Sequence, residues 1–169
     1  MRASTGILAG VVGACVTCVS MPATAQTPRD LLTQASFGER DRAQAMRRIE
    51  SALASTDAAI RRTPGDGEAM VIRATALGYR AKLTGSRADA AASRKQFEAL
   101  IAANPRNAEA QLGLGAWHLA TINKAGVLLA RAVMGANRAT GNRALDTGVA
   151  LGGNRAFFPG LAALFRLKS

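Results

Sequence analysis

Few residues in this chain could carry chemistry. There is one histidine, His118, two cysteines, Cys15 and Cys18, and 11 carboxylates, none of which forms a spaced pair that reads as a general acid and base. A metal site needs several ligands, and one histidine does not supply them, so neither metal nor cofactor is expected. The glycine pairs Gly113-Leu114-Gly115 and Gly152-Gly153 follow no strand, which excludes a dinucleotide or phosphate loop. Catalysis is therefore not expected. His118, alone on an apolar helix face, reads as a packing residue.

Both cysteines lie in an N-terminal stretch that must be set apart from fold reasoning. Arg2 precedes an apolar run from Ile7 to Val19, which ends at Pro22 and the small residues Ala23-Thr24-Ala25. That is the form of a secretory signal peptide, residues 1–25, cleaved after Ala25. A rival reading takes Val12-Gly13-Ala14-Cys15 as a lipoprotein box, with Cys15 bearing lipid; it shortens the apolar run and leaves the site at Ala25 unused. On the first reading the mature chain has no thiol and is exported, most simply to the periplasm.

Residues 26–169 have the length of one domain and can bury a core. Their charge is uneven. Residues 26–109 hold 14 Lys and Arg against 10 Asp and Glu, a net of +4, and residues 110–169 hold seven against Asp146 alone, a net of +6. Such a balance suits anionic lipid or an acidic protein, or serves solubility alone. Nucleic acid is not expected, since no aromatic platform is interleaved with the basic residues.

Helix formers dominate, and no stretch alternates apolar and polar residues over a strand's length. Breaks fall at Thr63-Pro64-Gly65-Asp66-Gly67, Thr84-Gly85-Ser86 and Asn104-Pro105-Arg106-Asn107. They predict helices near Gly38 to Arg62, Glu68 to Leu83, Arg87 to Ala103, Ala108 to Ile122, Ala125 to Asn137, Gly141 to Leu151 and Pro159 to Leu167. The expected fold is all-α, built of antiparallel helix pairs joined by tight turns.

Within the fourth helix two glycines stand two residues apart, and each costs about 1 kcal/mol against alanine in a helix interior. The surrounding residues suggest why one is there. Ser93 to Pro105 looks like the second helix of a tetratricopeptide repeat, with Phe97 as its aromatic and Pro105 as its closing proline. Ala108 to His118 then resembles the first helix of the next repeat, with Leu114-Gly115 as the Leu-Gly pair and His118 where a tyrosine commonly stands. Gly115 would touch the partner helix there, and leucine in its place should cost about 1 to 3 kcal/mol by overpacking. Gly113 has no such account at this level, and the same change there is expected to cost less, or to stabilise if the position is exposed.

The resemblance is best over residues 87–122, looser over 47–83, where Ala52, Ala59, Pro64 and Ala74 take the small-residue and proline positions, and degenerate over 124–169, where Ala144 to Leu151 precede Gly152-Gly153-Asn154. Pro64 and Pro105 are 41 residues apart, and the excess over the family's period of about 34 is assigned to a lengthened connection around Thr84 to Ala91. The chain thus resembles small exported bacterial tetratricopeptide-repeat proteins. That likeness implies a short α-solenoid whose first helices line a concave protein-binding face.

On the family's pattern, Glu68, Val71, Ile72 and Thr75, then Glu109, Leu112, Gly113 and Ala116, would face the groove. They form a mixed apolar surface with two negative points, suited to a partner segment with apolar anchors and a basic residue, or to the chain's own N- or C-terminal segment. The cationic residues with which some relatives clamp a partner's carboxylate are missing. At the C-terminus, Phe157, Phe158, Leu161, Leu164 and Phe165 share one helical face beside Arg166 and Lys168. That stripe is either a capping helix or an element that lies on an anionic membrane surface. The partner and the oligomeric state are not legible.

Overall fold

The computed structural model describes residues 26–168, and every regular element among them is helical. The apolar N-terminal segment, with Cys15, Cys18 and the junction at Ala25, lies outside the described residues. Eight α-helices follow in order: α1 (Pro28–Thr33), continued by a π-helical turn at Gln34–Gly38, α2 (Arg42–Arg62), α3 (Gly67–Thr84), α4 (Arg87–Ala103), α5 (Ala108–Ala125), α6 (Val127–Met134), α7 (Arg138–Leu151) and α8 (Phe157–Leu167).

Six of the eight begin with a side-chain cap: Thr27, Asp41, Asp66, Ser86, Asn107 and Asn137 each accept a backbone N–H of the helix they open. Such a cap contributes about 1 kcal/mol. Helices α6 and α8 have none.

Helix α1 is not among the expected helices, although its signal is plain: Thr27 and Asp30 form a reciprocal capping box around Pro28. The expected long connection near Thr84 is also absent. Gly85, with φ of 79°, and the cap Ser86 alone join α3 to α4. Helices of 18 and 17 residues on either side leave no residues over for a longer connection. Helix α6 is shorter than expected, because Ile122 to Ala125 continue α5 and Gly135, at φ 65°, ends α6.

The core is divided along the chain into four apolar clusters. The first joins Leu32 of α1 to Ile49, Ala52 and Leu53 of α2 and to Ile72, Ala76 and Leu77 of α3. In the second, Val71 and Ala74 of α3 meet Phe97 and Leu100 of α4 and Ala110 of α5. A third gathers Ala108, Leu112 and Leu119 of α5 with Leu145 of α7 and Phe158 and Ala162 of α8. The smallest sets Trp117 and Ile122 of α5 against Ala130 and Ala136 around α6. Each cluster thus draws on helices close in chain order. The most extensive pairing is α5 with α7, which α6 separates in sequence.

Small residues make that pairing close. A β-carbon on Gly115 would stand 2.7 Å from Leu145 Cγ and 2.8 Å from the Gly141 carbonyl oxygen, and one on Gly148 would stand 2.9 Å from the Leu112 amide. Gly115, then, does press on a partner helix. Gly113 has a reason as well, which sequence reading missed: the ring of Phe97 lies 2.4 Å from where its β-carbon would be.

Candidate binding groove

Helices α3 and α5 start alike. Asp66 and Asn107 cap them, and two residues on stand Glu68 and Glu109, so the same local geometry places a carboxylate at the N-terminal end of each. Backbone N–H groups there favour negative charge. The two helices touch, and an open groove between their starts is lined by Gly67, Glu68, Val71, Asn107, Glu109 and Arg29.

Arg29 comes from α1. Its Nη2 donates to Glu109 Oε2 at 2.9 Å and to Glu68 Oε1 at 3.3 Å, so one guanidinium bridges both carboxylates. Partial burial works to lower the Arg29 pKa, but the hydrogen bonds and charges of Glu109 and Glu68 outweigh it and hold the group above its ordinary value. Arg155 Nη1 lies 4.0 Å from the other Glu109 oxygen. The two carboxylates at the groove are therefore engaged by a side chain of α1.

Only Glu68, Val71 and Glu109 of the eight expected groove residues line it. Ile72 is buried against Leu32 and Ile49 of the first cluster, and Leu112 against Leu145 and Phe158 of the third. Gly113 lies under Phe97, Thr75 donates its hydroxyl to the Val71 carbonyl at 2.9 Å, and Ala116 is half-buried. A helix presents one stripe to a groove and others to its neighbours, and which neighbour takes which stripe is set by tertiary pairing. Arg29 was missed for the same reason. The signal that could have found the site is the recurrence of Pro-x-Asp/Asn-x-Glu-Ala at Pro64 to Ala69 and Pro105 to Ala110.

Four of the six residues assigned to repeat packing fall in the core. Ala74, Phe97, Gly115 and His118 are buried, Leu114 is half-buried, and Pro105 stands exposed in the turn before α5. His118, 2% exposed, accepts the Asn137 N–H on Nδ1 at 3.3 Å and meets Trp117 edge-on at 5.1 Å between centroids. That hydrogen bond requires a neutral ring. Burial, and then the nearby Arg94 guanidinium, push its pKa down, with Glu98 acting weakly the other way.

A second open groove runs between α4 and α6, over Trp117. Arg94 stacks 5.4 Å from the Trp117 ring, and its Nη1 donates to the Met134 carbonyl at 2.9 Å. Among the described residues no three of His, Cys, Asp and Glu gather closely enough to hold a metal, and no helix is long and apolar enough to cross a membrane. The chain matches no family model, no curated protein and no solved structure.

Proposed function

We propose that this protein is a non-catalytic binding module of the bacterial envelope, a short tetratricopeptide-like solenoid that holds a partner segment between α3 and α5. The observation that carries this reading is Arg29 seated on Glu68 and Glu109, which supports a groove suited to a guanidinium on a helical segment beside apolar residues. The partner is then a protein segment with a basic residue and apolar anchors, and it competes with α1 for the carboxylate pair. The solenoid reading is supported by the segmented core, in which each cluster draws on helices close in sequence. It is supported also by the small buried residues Ala52, Ser93 and Gly141 in α2, α4 and α7. Helix α8, which buries Phe158 and Ala162 against α5 and α7, acts as the cap. Export through residues 1–25 belongs to the same proposal, and fractionation of expressing cells tests it.

The groove is tested with a set of helical peptides carrying one arginine among apolar residues. Replacing Arg29 by alanine should tighten their binding by about tenfold, since the internal competitor is lost. The double change Glu68→Lys and Glu109→Lys should weaken it by about as much. Peptides that bind all three proteins alike would defeat the groove reading, and steady turnover of any substrate would defeat the non-catalytic one.

A further inference from the structure

Helix α6 stands on the protein by little more than one alanine. Ala130 is its single buried residue, while Val127, Leu128, Leu129 and Val133 are 51%, 85%, 54% and 45% exposed. Four exposed aliphatic side chains in one eight-residue helix make an apolar ledge, where isolated exposed residues would be ordinary. Its charge surroundings are one-sided. From Ala110 to Leu145 the chain carries Lys124, Arg131, Arg138 and Arg143 and no carboxylate. Across the neighbouring groove stand Arg94 and Lys95, and Glu98 is engaged by Arg94 at 2.7 Å.

We infer that α6 docks the protein on an anionic lipid surface, with its aliphatic side chains in the acyl boundary and the flanking cations at the headgroups. The ledge is apolar and is accompanied by positive charge, which is the form a lipid interface accepts. A second copy would set the same cations against each other. This surface is separate from the α3–α5 groove, and the two readings fail independently. It also differs from the C-terminal stripe, three of whose five residues pack: Phe158 is buried, and Leu161 and Phe165 pack on the third cluster.

The test uses the full chain with vesicles of neutral lipid, or of neutral lipid with about 30 mol% anionic lipid, read by cosedimentation and by Trp117 emission. Trp117 is the only tryptophan and lies beneath α6. The apolar N-terminal segment is common to all proteins compared, so differences between variants report the substituted helices. Binding should need the anionic lipid and weaken by about tenfold or more between roughly 0.05 and 0.5 M salt. Leu128→Asp with Leu129→Asp should lower it by about tenfold or more, Arg131→Glu by several-fold, and Leu164→Asp with Leu167→Asp should leave it unchanged. Should the first pair fail to fold by circular dichroism, Arg131→Glu decides. The inference is overturned by α6 variants that bind as well as the native chain, by equal binding to neutral vesicles, or by loss confined to the α8 pair. A dimer formed through α6, or binding of soluble polyglutamate as tight as that of the vesicle, overturns it too.

Discussion

The ring of Phe97 fills the space that a side chain on Gly113 would need. Its Cε1 and Cζ lie 2.4 Å from the position of that missing β-carbon, and Phe97 itself is 3% exposed. Helices α4 and α5 therefore approach with an aromatic ring set against a glycine, and the side-chain-free position is a requirement of packing. Leucine at Gly113 could stabilise only if the position were exposed, and it faces the Phe97 ring instead, so no gain is expected there.

Both glycines of the Gly113-Leu114-Gly115 stretch should consequently resist substitution. Gly115→Ala meets a backbone carbonyl on α7 that cannot swing aside, and a net loss of about 1 to 3 kcal/mol is expected despite the gain in helix propensity. Gly113→Ala meets the far end of a ring, which can shift slightly, so its loss should be smaller but still a loss. Urea titrations of the two variants check the order, and a stabilised Gly113→Ala would refute the contact.

Two adjacent phenylalanines should behave differently. Phe158 is 1% exposed under the Arg155 guanidinium, so Phe158→Ala should cost about 3 to 5 kcal/mol. Phe157 is 56% exposed, and its change to alanine should fall within about 0.5 kcal/mol of neutral. Thermal melts of the pair would show which face of α8 packs.

His118 should make stability depend on pH. Its folded pKa lies below the ordinary value of 6.5, so the unfolded chain binds the proton more readily. The neutral ring's contribution is intact above that value and is lost as pH falls below it toward the folded pKa. A His118→Gln variant should lose less stability than the native chain between about pH 7.5 and pH 5, measured by urea midpoints. Parallel pH profiles would remove His118 as the cause.

Asp89 acts at lower pH and with the same sign. Its carboxylate receives Arg80 Nη2 at 2.6 Å and Nε at 2.8 Å, and these bonds lower its pKa against the opposing effect of burial, with Ser86 assisting. Stability from this pair is present above the ordinary carboxylate value of 3.8 and is lost as pH falls through the lowered one. At neutral pH Asp89→Asn should cost about 1 kcal/mol, because the pair is partly exposed and screened. A melting temperature unchanged at pH 7 would mean that the pair contributes nothing.

Much of the helical framework was legible because its punctuation is local. Pro64, Ser86 and Asn107 mark turns through their own backbone chemistry, and the structure starts helices α3, α4 and α5 within a residue of the expected positions. Phe97 and Gly115 could be named as contact residues from the pattern they resemble. What each of them touches could not. The partner of Gly115 lies on α7, beyond an intervening helix, and Arg29 reaches Glu109 across 80 residues. No periodicity within one helix encodes such a meeting. The capping box at Thr27 was legible but lay in a stretch too short to show an apolar stripe.

The division of the core into successive clusters bears on how the molecule opens. Where burial is shared mainly among neighbours, end helices can detach without dissolving the middle, and amide exchange should be graded along the chain. Arg29 works against that gradation. By reaching from α1 to the start of α5 it links the first cluster to the third, past helices that share no apolar contact with both. Its exposed ion pairs are weak one by one. Their effect is on cooperativity: with the clasp closed, fraying of α1 is coupled to α5, and with it open the first helix becomes an independent unit that can be lent to solvent while the rest stays folded.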